Sequence, residues 1–124
     1  MNSKIKRLPD GELEIMQAVW ACKTPAARAD IEGALGKELA PTTVLTLLTR
    51  LCDKGFLRAE KEGKHNVYTP LIARRTYLAM ESRGTLDRLY GGSLGAFAAA
   101  LCDSGVTEED LRELEELLRA HRHD

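Results

Sequence analysis

At Gly55 the hydrophobic period of the chain changes, and that change restricts its possible folds more than any other feature. Before Gly55, apolar residues recur at helical spacing; after it they alternate in two short runs, up to Pro70. Leu13, Met16, Val19 and Trp20 form a helical stripe within Glu12 to Cys22, with Asp10 placed to cap that helix. A shorter helix is predicted from Ala26 to Leu35, opened by Thr24-Pro25, with Ile31, Ala34 and Leu35 inward and Gly36 as its stop. Pro41 starts a third helix at the first-turn position that tolerates proline, and the helix runs to Lys54. Phe56 to Glu60 and His65 to Thr69 then read as strands around the charged tip Lys61-Glu62-Gly63-Lys64. Three helices followed by a two-stranded ribbon is the outline of a winged helix-turn-helix.

The rest of the chain reads as helical. Ala73 to Tyr90 is one helix, interrupted by Gly84 and stopped by Gly91-Gly92. Ser93 to Cys102 carries Leu94, Phe97, Ala98 and Leu101 on one stripe. Thr107-Glu108-Glu109-Asp110 signals a helix start, and Leu111, Leu114, Leu117 and Leu118 line the helix that follows. Arg119, His121 and Arg122 suit its C-terminal end. Three helices with such narrow apolar seams make a poor core alone and gain by packing against a second copy. The expected fold class is therefore mainly α with a small β-hairpin wing. A winged helix-turn-helix over residues 1–71 precedes a three-helix dimerisation segment over residues 72–124.

The third helix carries the clearest functional signal. On a helical wheel Thr42, Thr43, Thr46, Thr49, Arg50 and Asp53 occupy one arc, and Val44, Leu45, Leu47, Leu48, Leu51 and Cys52 the other. The two sets do not interleave, so one face packs inward and the other presents hydroxyls and a guanidinium. Such a face suits DNA: hydroxyls meet phosphates and base edges, threonine methyls meet the thymine methyl, and arginine forks onto guanine or phosphate. A Thr-rich solvated helix is the bland alternative, although three β-branched residues are mediocre helix formers. Asp53 repels phosphate at the far end, so contacts are expected toward the first turns. At the hairpin tip Lys61, Lys64 and His65 surround Gly63, where a wing reaches DNA.

Charge appears at first to argue against nucleic acid, because 18 Lys+Arg stand against 19 Asp+Glu in 124 residues. The balance is uneven along the chain: residues 1–70 sum to +2 and residues 71–124 to −3. A generic DNA coater is excluded; a reader of one particular site is not. Cys22, Cys52 and Cys102 are odd in number and far apart, so they read as buried structural thiols in a reducing cytoplasm. The longest uncharged apolar run, Leu94 to Cys102, is too short to span a bilayer. The opening residues lack the apolar stretch of an export signal. The sequence has no glycine-rich phosphate loop, GxSxG elbow or HExxH, so an enzyme is not expected, nor is any cofactor or metal. His121-x-His123 reads as a frayed basic helix end. A winged helix serving as a protein-interaction module is the competing class.

Three segments, in order, resemble one known family. Leu8-Pro9-Asp10-Gly11-Glu12-Leu13-Glu14-Ile15-Met16 with Val19-Trp20 is similar to the opening motif of the penicillinase-repressor family, the BlaI/MecI type with CopY relatives. Thr42 to Thr46 running into Arg50-Leu51-Cys52-Asp53-Lys54-Gly55-Phe56-Leu57 resembles it too, as do Lys61-Glu62-Gly63-Lys64 and Tyr68-Thr69-Pro70. Weaker similarity runs through Leu89 to Leu94 and on to His121. The resemblance implies a homodimeric repressor that binds an inverted-repeat double-stranded DNA operator, with Thr42, Thr43, Thr46 and Arg50 as helix contacts and Lys64 at the wing; the residue pattern itself places Lys61 beside it at the tip. Dimerisation falls to Leu94, Phe97, Leu101, Leu111, Leu114 and Leu118. In the β-lactam branch a membrane sensor metalloprotease signals and the repressor is cut in its C-terminal part. The aligned bond here is Ala100–Leu101, in place of the Asn-Phe pair of that branch, which leaves open a different protease specificity or no cleavage at all. On its apolar stripe Leu101 reads as a core residue ahead of a cut site. The copper branch's C-terminal Cys-x-Cys motifs are missing, with Cys102 alone there.

Overall fold

The computed structural model describes residues 5–122. Their contacts form two compact units, the first ending at Glu81 and the second beginning at Ser82. The first contains α1 (Asp10–Ala21), β1 (Ala26–Ala27), α2 (Arg28–Ala34), α3 (Pro41–Asp53), β2 (Leu57–Glu62), β3 (His65–Pro70) and the opening turns of α4 (Arg74–Tyr90). The second holds the remainder of α4 with α5 (Leu94–Asp103) and α6 (Glu108–Arg122). The expected fold class is the observed one: mainly helical, with a small antiparallel sheet after the third helix. No helix among the described residues is long and apolar enough to cross a membrane.

Several local expectations change. Asp10 is the first residue of α1 rather than its cap; Pro9 precedes the helix and no side chain caps it. Ala26 does not open a helix. With Ala27 it forms β1, antiparallel to β3 and opposite Tyr68 and Val67, which makes the sheet three-stranded in the order β1-β3-β2. α2 starts at Arg28, and Asp30 accepts a hydrogen bond from the Ala27 N–H (3.1 Å). It ends at Ala34, which is exposed, before Gly36 is reached. The wing is longer than expected: β2 continues to Glu62, opposite His65, so only Gly63 and Lys64 make the turn. Gly63 has φ +65°, the left-handed conformation that two-residue hairpin turns require and glycine adopts without strain. Gly84 does not interrupt α4, since the flanking residues keep the helix hydrogen-bonded through it.

The core of the first unit is built from the inner faces of α1, α3 and the sheet. Ile15, Met16 and Val19 of α1 meet Val44, Leu48 and Leu51 of α3, all fully buried. Each such side chain contributes about 1.5–3 kcal/mol by leaving water. Tyr77, at the start of α4, closes this core. It stands 5.7 Å from Trp20 and 5.8 Å from Phe56, ring centre to ring centre. Its hydroxyl accepts from the Leu8 N–H (2.9 Å) and donates to Glu81 Oε1 (3.0 Å). The Trp20 indole N–H donates to the Ile72 carbonyl (3.0 Å). These ring contacts and hydrogen bonds explain why the packing boundary falls after Glu81 instead of where the sheet ends.

In the second unit Gly91 and Gly92 both take positive φ, and the Gly92 N–H donates to the Leu86 carbonyl (2.9 Å), a left-handed helix stop. Ser93 caps α5, accepting from the Ala96 N–H (3.0 Å). Thr107 and Asp110 bond reciprocally at the start of α6. Neither α5 nor α6 has a buried residue. Cys102, expected to be buried, is exposed on α5, while Cys22 and Cys52 are half-buried.

Candidate nucleic-acid interface

α3 segregates its side chains by the arithmetic of the helix. Val44, Leu48 and Leu51 are buried and Leu47 and Cys52 half-buried, while Thr42, Thr43, Thr46, Thr49, Arg50 and Asp53 are exposed. One assignment changes: Leu45, at the edge of the predicted apolar arc, is 40% exposed. It lines a shallow depression with Thr46, Thr49 and Arg50. The Thr46 Oγ1 donates to the Thr42 carbonyl and the Thr49 Oγ1 to the Leu45 carbonyl, each at 2.9 Å. Arg50 forms no ion pair among the described residues.

Leu45 also lines a cleft of about 520 Å³ shared with the start of α2 and the wing. Arg28, Ala29, Lys64, His65, Asn66 and Tyr68 face it. The structure thus joins Lys64 to the α3 surface through Leu45. Lys61 lies apart from that cleft, on β2 opposite Asn66 and exposed. His65, expected at the wing tip, lines this cleft with Lys64, and Arg28 and Asn66 extend the candidate surface beyond the residues that the sequence suggests. Arg28 is partly engaged, 3.4 Å from Glu32. The sequence pattern places it in the first turn of a helix from Ala26 and singles it out for nothing, whereas it is the first residue of α2, beside β1.

A part-buried ion pair fixes the far end of α3. Lys54, the residue that ends the helix, donates from Nζ to the Glu12 carboxylate on α1. The Glu12 side chain is only 5% exposed against 41% for Lys54. A carboxylate this deep needs a cation, so the pair ties α3 to α1. Cys52, on the same helix, has its thiol pKa raised by burial and secondarily by Asp53. Cys22 is raised by burial and then by Asp30. Both are held as unreactive thiols.

The remaining predicted site residues lie in the second unit. Leu94, Phe97 and Leu101 on α5 and Leu111, Leu114 and Leu118 on α6 are all exposed in the single chain, as is Ala100. Among the described residues no three His, Cys, Asp or Glu side chains gather as a metal site. His123 of the terminal histidine pair lies outside the described residues.

Comparison with known proteins matches this arrangement. The model of the penicillinase repressor family matches residues 8–120. A penicillinase repressor of Bacillus licheniformis is 32% identical over 97% of this chain and 95% of its own. The methicillin resistance regulatory protein MecI of Staphylococcus aureus (strain N315) is 26% identical over 95% of this chain and 98% of its own. Among solved structures, the DNA-binding domain of the repressor BlaI is similar, with 34% identity and a TM-score of 0.50 over 57% of this chain and 88% of that one.

Proposed function

The chain belongs to the penicillinase repressor family, and from that premise we propose that it is a transcriptional repressor that binds an inverted-repeat operator as a homodimer. It is not an enzyme; the family consists of repressors. The observation that carries the reading is the exposed Thr42, Thr43, Thr46 and Arg50 face of α3, contiguous through Leu45 with the Lys64 cleft. Hydroxyls and a free guanidinium on a helix anchored from behind by Glu12–Lys54 suit a major groove. Lys61 and Lys64 reach the backbone beside it. The competing protein-interaction reading gives no reason for an unpaired arginine among threonines.

The leucine-rich faces of α5 and α6 support the dimer: a monomer has no use for Leu94, Leu117 and Leu118 at 67, 61 and 54% exposure. On this reading the DNA-binding domain, expected over residues 1–71, takes in the start of α4 as far as Glu81, and the dimerisation domain, expected from residue 72, is carried by the chain from Ser82 on. Relief of repression runs through proteolysis in the C-terminal domain by a membrane sensor metalloprotease. The Ala100–Leu101 bond is the aligned position, and α5 opens locally before it is cut. The protein acts in the cytoplasm.

The experiment is a band shift with inverted-repeat DNA taken from upstream of its own reading frame. The wild type retards it, with affinity that falls as salt rises. Thr46→Ala combined with Arg50→Ala abolishes specific retardation and leaves the circular dichroism unchanged. Leu111→Asp with Leu118→Asp leaves half-site binding intact and removes the full-site gain, on the order of 10²-fold or more. Wild-type retardation by the double Thr46/Arg50 variant refutes the helix assignment.

A further inference from the structure

The hydroxyl hydrogen bonds on α3 restrict what kind of base edge the helix can read. A threonine hydroxyl has one proton to give and two lone pairs with which to accept. Thr46 and Thr49 have given theirs to the helix, to the Thr42 and Leu45 carbonyls at 2.9 Å. What they turn outward is therefore an acceptor oxygen and a methyl group. An acceptor finds no partner on a phosphate, or on O6 and N7 of guanine, all of which are acceptors themselves. In the major groove it meets the exocyclic amino groups of adenine and cytosine, and the methyl meets the thymine C5-methyl.

Two neighbours point the same way. Leu45 stands 40% exposed beside these threonines, a partly uncovered apolar surface. Arg50 is the donor in that depression, with its guanidinium free of ion pairs among the described residues. Thr42 and Thr43, in the first turn, make no side-chain hydrogen bond among the described residues, so their protons remain available to phosphate oxygens. The four threonines are thus of two kinds, although the sequence alone shows them as one set.

Resting on the repressor reading above, we propose that the middle of α3 reads methyl and amino groups: Thr46, Thr49 and Leu45 cover thymine methyls, with the two threonine oxygens accepting from adenine or cytosine, while guanine or phosphate is left to Arg50. The partner is a duplex whose half-site carries thymine against this stretch of the helix.

The test starts from the duplex that the full-length protein enriches out of a random-sequence library. Enrichment of no sequence at all overturns the repressor reading itself. An enriched half-site with guanine in place of thymine at the positions protected by α3 overturns only the present inference. In the enriched duplex each protected thymine is then replaced by deoxyuridine, which removes one methyl. Wild-type affinity is expected to fall about fourfold at the contacted position, the value of one buried methyl group. Thr46→Ser and Thr49→Ser keep the hydroxyl and remove the methyl; one of them abolishes the thymine preference. Thr46→Val and Thr49→Val keep the methyl and retain that preference. Equal binding of thymine and deoxyuridine duplexes by the wild type overturns the proposal. So does a preference that survives both serine variants and disappears with valine.

Discussion

Replacing Tyr77 with Phe removes one oxygen atom from the first unit and exposes how that unit is locked. Tyr77 is fully buried, and its hydroxyl is the partner of the Leu8 N–H, whose residue is only 3% exposed. Phenylalanine keeps the ring contacts with Trp20 and Phe56 but leaves a buried backbone donor without an acceptor. That orphaned N–H costs about 1–3 kcal/mol. Losing the bond to Glu81 adds little, because Glu81 is half-buried and water replaces the hydroxyl. The expected loss is about 2 kcal/mol by urea denaturation, equivalent to a drop in Tm on the order of 10 °C for a unit of this size. Exchange of the Leu8 amide with deuterium accelerates in the variant, while amides inside α3 keep their relative order. A pH arm follows from the raised phenol pKa, which burial increases, the Leu8 N–H lowers and Glu81 increases again. The unfolded chain ionises first, so the stability linked to this group is complete below about pH 10 and is lost as pH rises through the folded value. Tyr77→Phe flattens that part of the profile. A loss under about 0.5 kcal/mol with unchanged Leu8 exchange refutes the argument, since water would then be satisfying the amide.

Lys54→Met leaves the Glu12 carboxylate, 5% exposed, without its cation. Because Lys54 is itself partly solvated, the expected loss is about 1–3 kcal/mol, below that of a wholly buried pair. Adding Glu12→Gln recovers part of it, and a double-mutant cycle by urea denaturation with no coupling disproves the anchor. Cys22 and Cys52, both with raised thiol pKa values, react with iodoacetamide at pH 8 more slowly than exposed Cys102, read by peptide mass spectrometry. Equal labelling of Cys52 and Cys102 contradicts the burial of Cys52.

What was legible in the chain was whatever depends on local period. α3 begins at Pro41 and stops beside Gly55 because proline fits the first turn and glycine takes φ +81° after the last. The wing strands follow from alternation. β1 was not legible: Ala26 and Ala27 have no β preference, and they form a strand only because β3 lies alongside. Glu12 was not legible either. A carboxylate on an amphipathic helix reads as solvated, and its partner Lys54 lies on another element. Leu45 shows the limit of the wheel: its angle assigns it to the apolar arc, but only packing decides whether the edge of an arc is covered. The second kind of threonine was beyond sequence altogether, since which proton goes to which carbonyl is a matter of rotamer.

These details change what near-neutral charge implies for a protein proposed to bind DNA. Around the candidate surface, Arg50, Lys61, Lys64 and Arg28 stand with Asp53, Glu60 and Glu62, and Arg28 already lies 3.4 Å from Glu32. Few cations per copy remain to displace counterions, so sequence-independent affinity is small. Thr46 and Thr49 add nothing to it, because they have no proton to offer a phosphate. Affinity on this reading comes from two sources that both require a correct site: methyl and amino groups in register with α3, and a second copy holding the second half-site. A surface poor in excess charge and a recognition helix with committed hydroxyls are then two expressions of one requirement, that binding anywhere other than the operator remain weak.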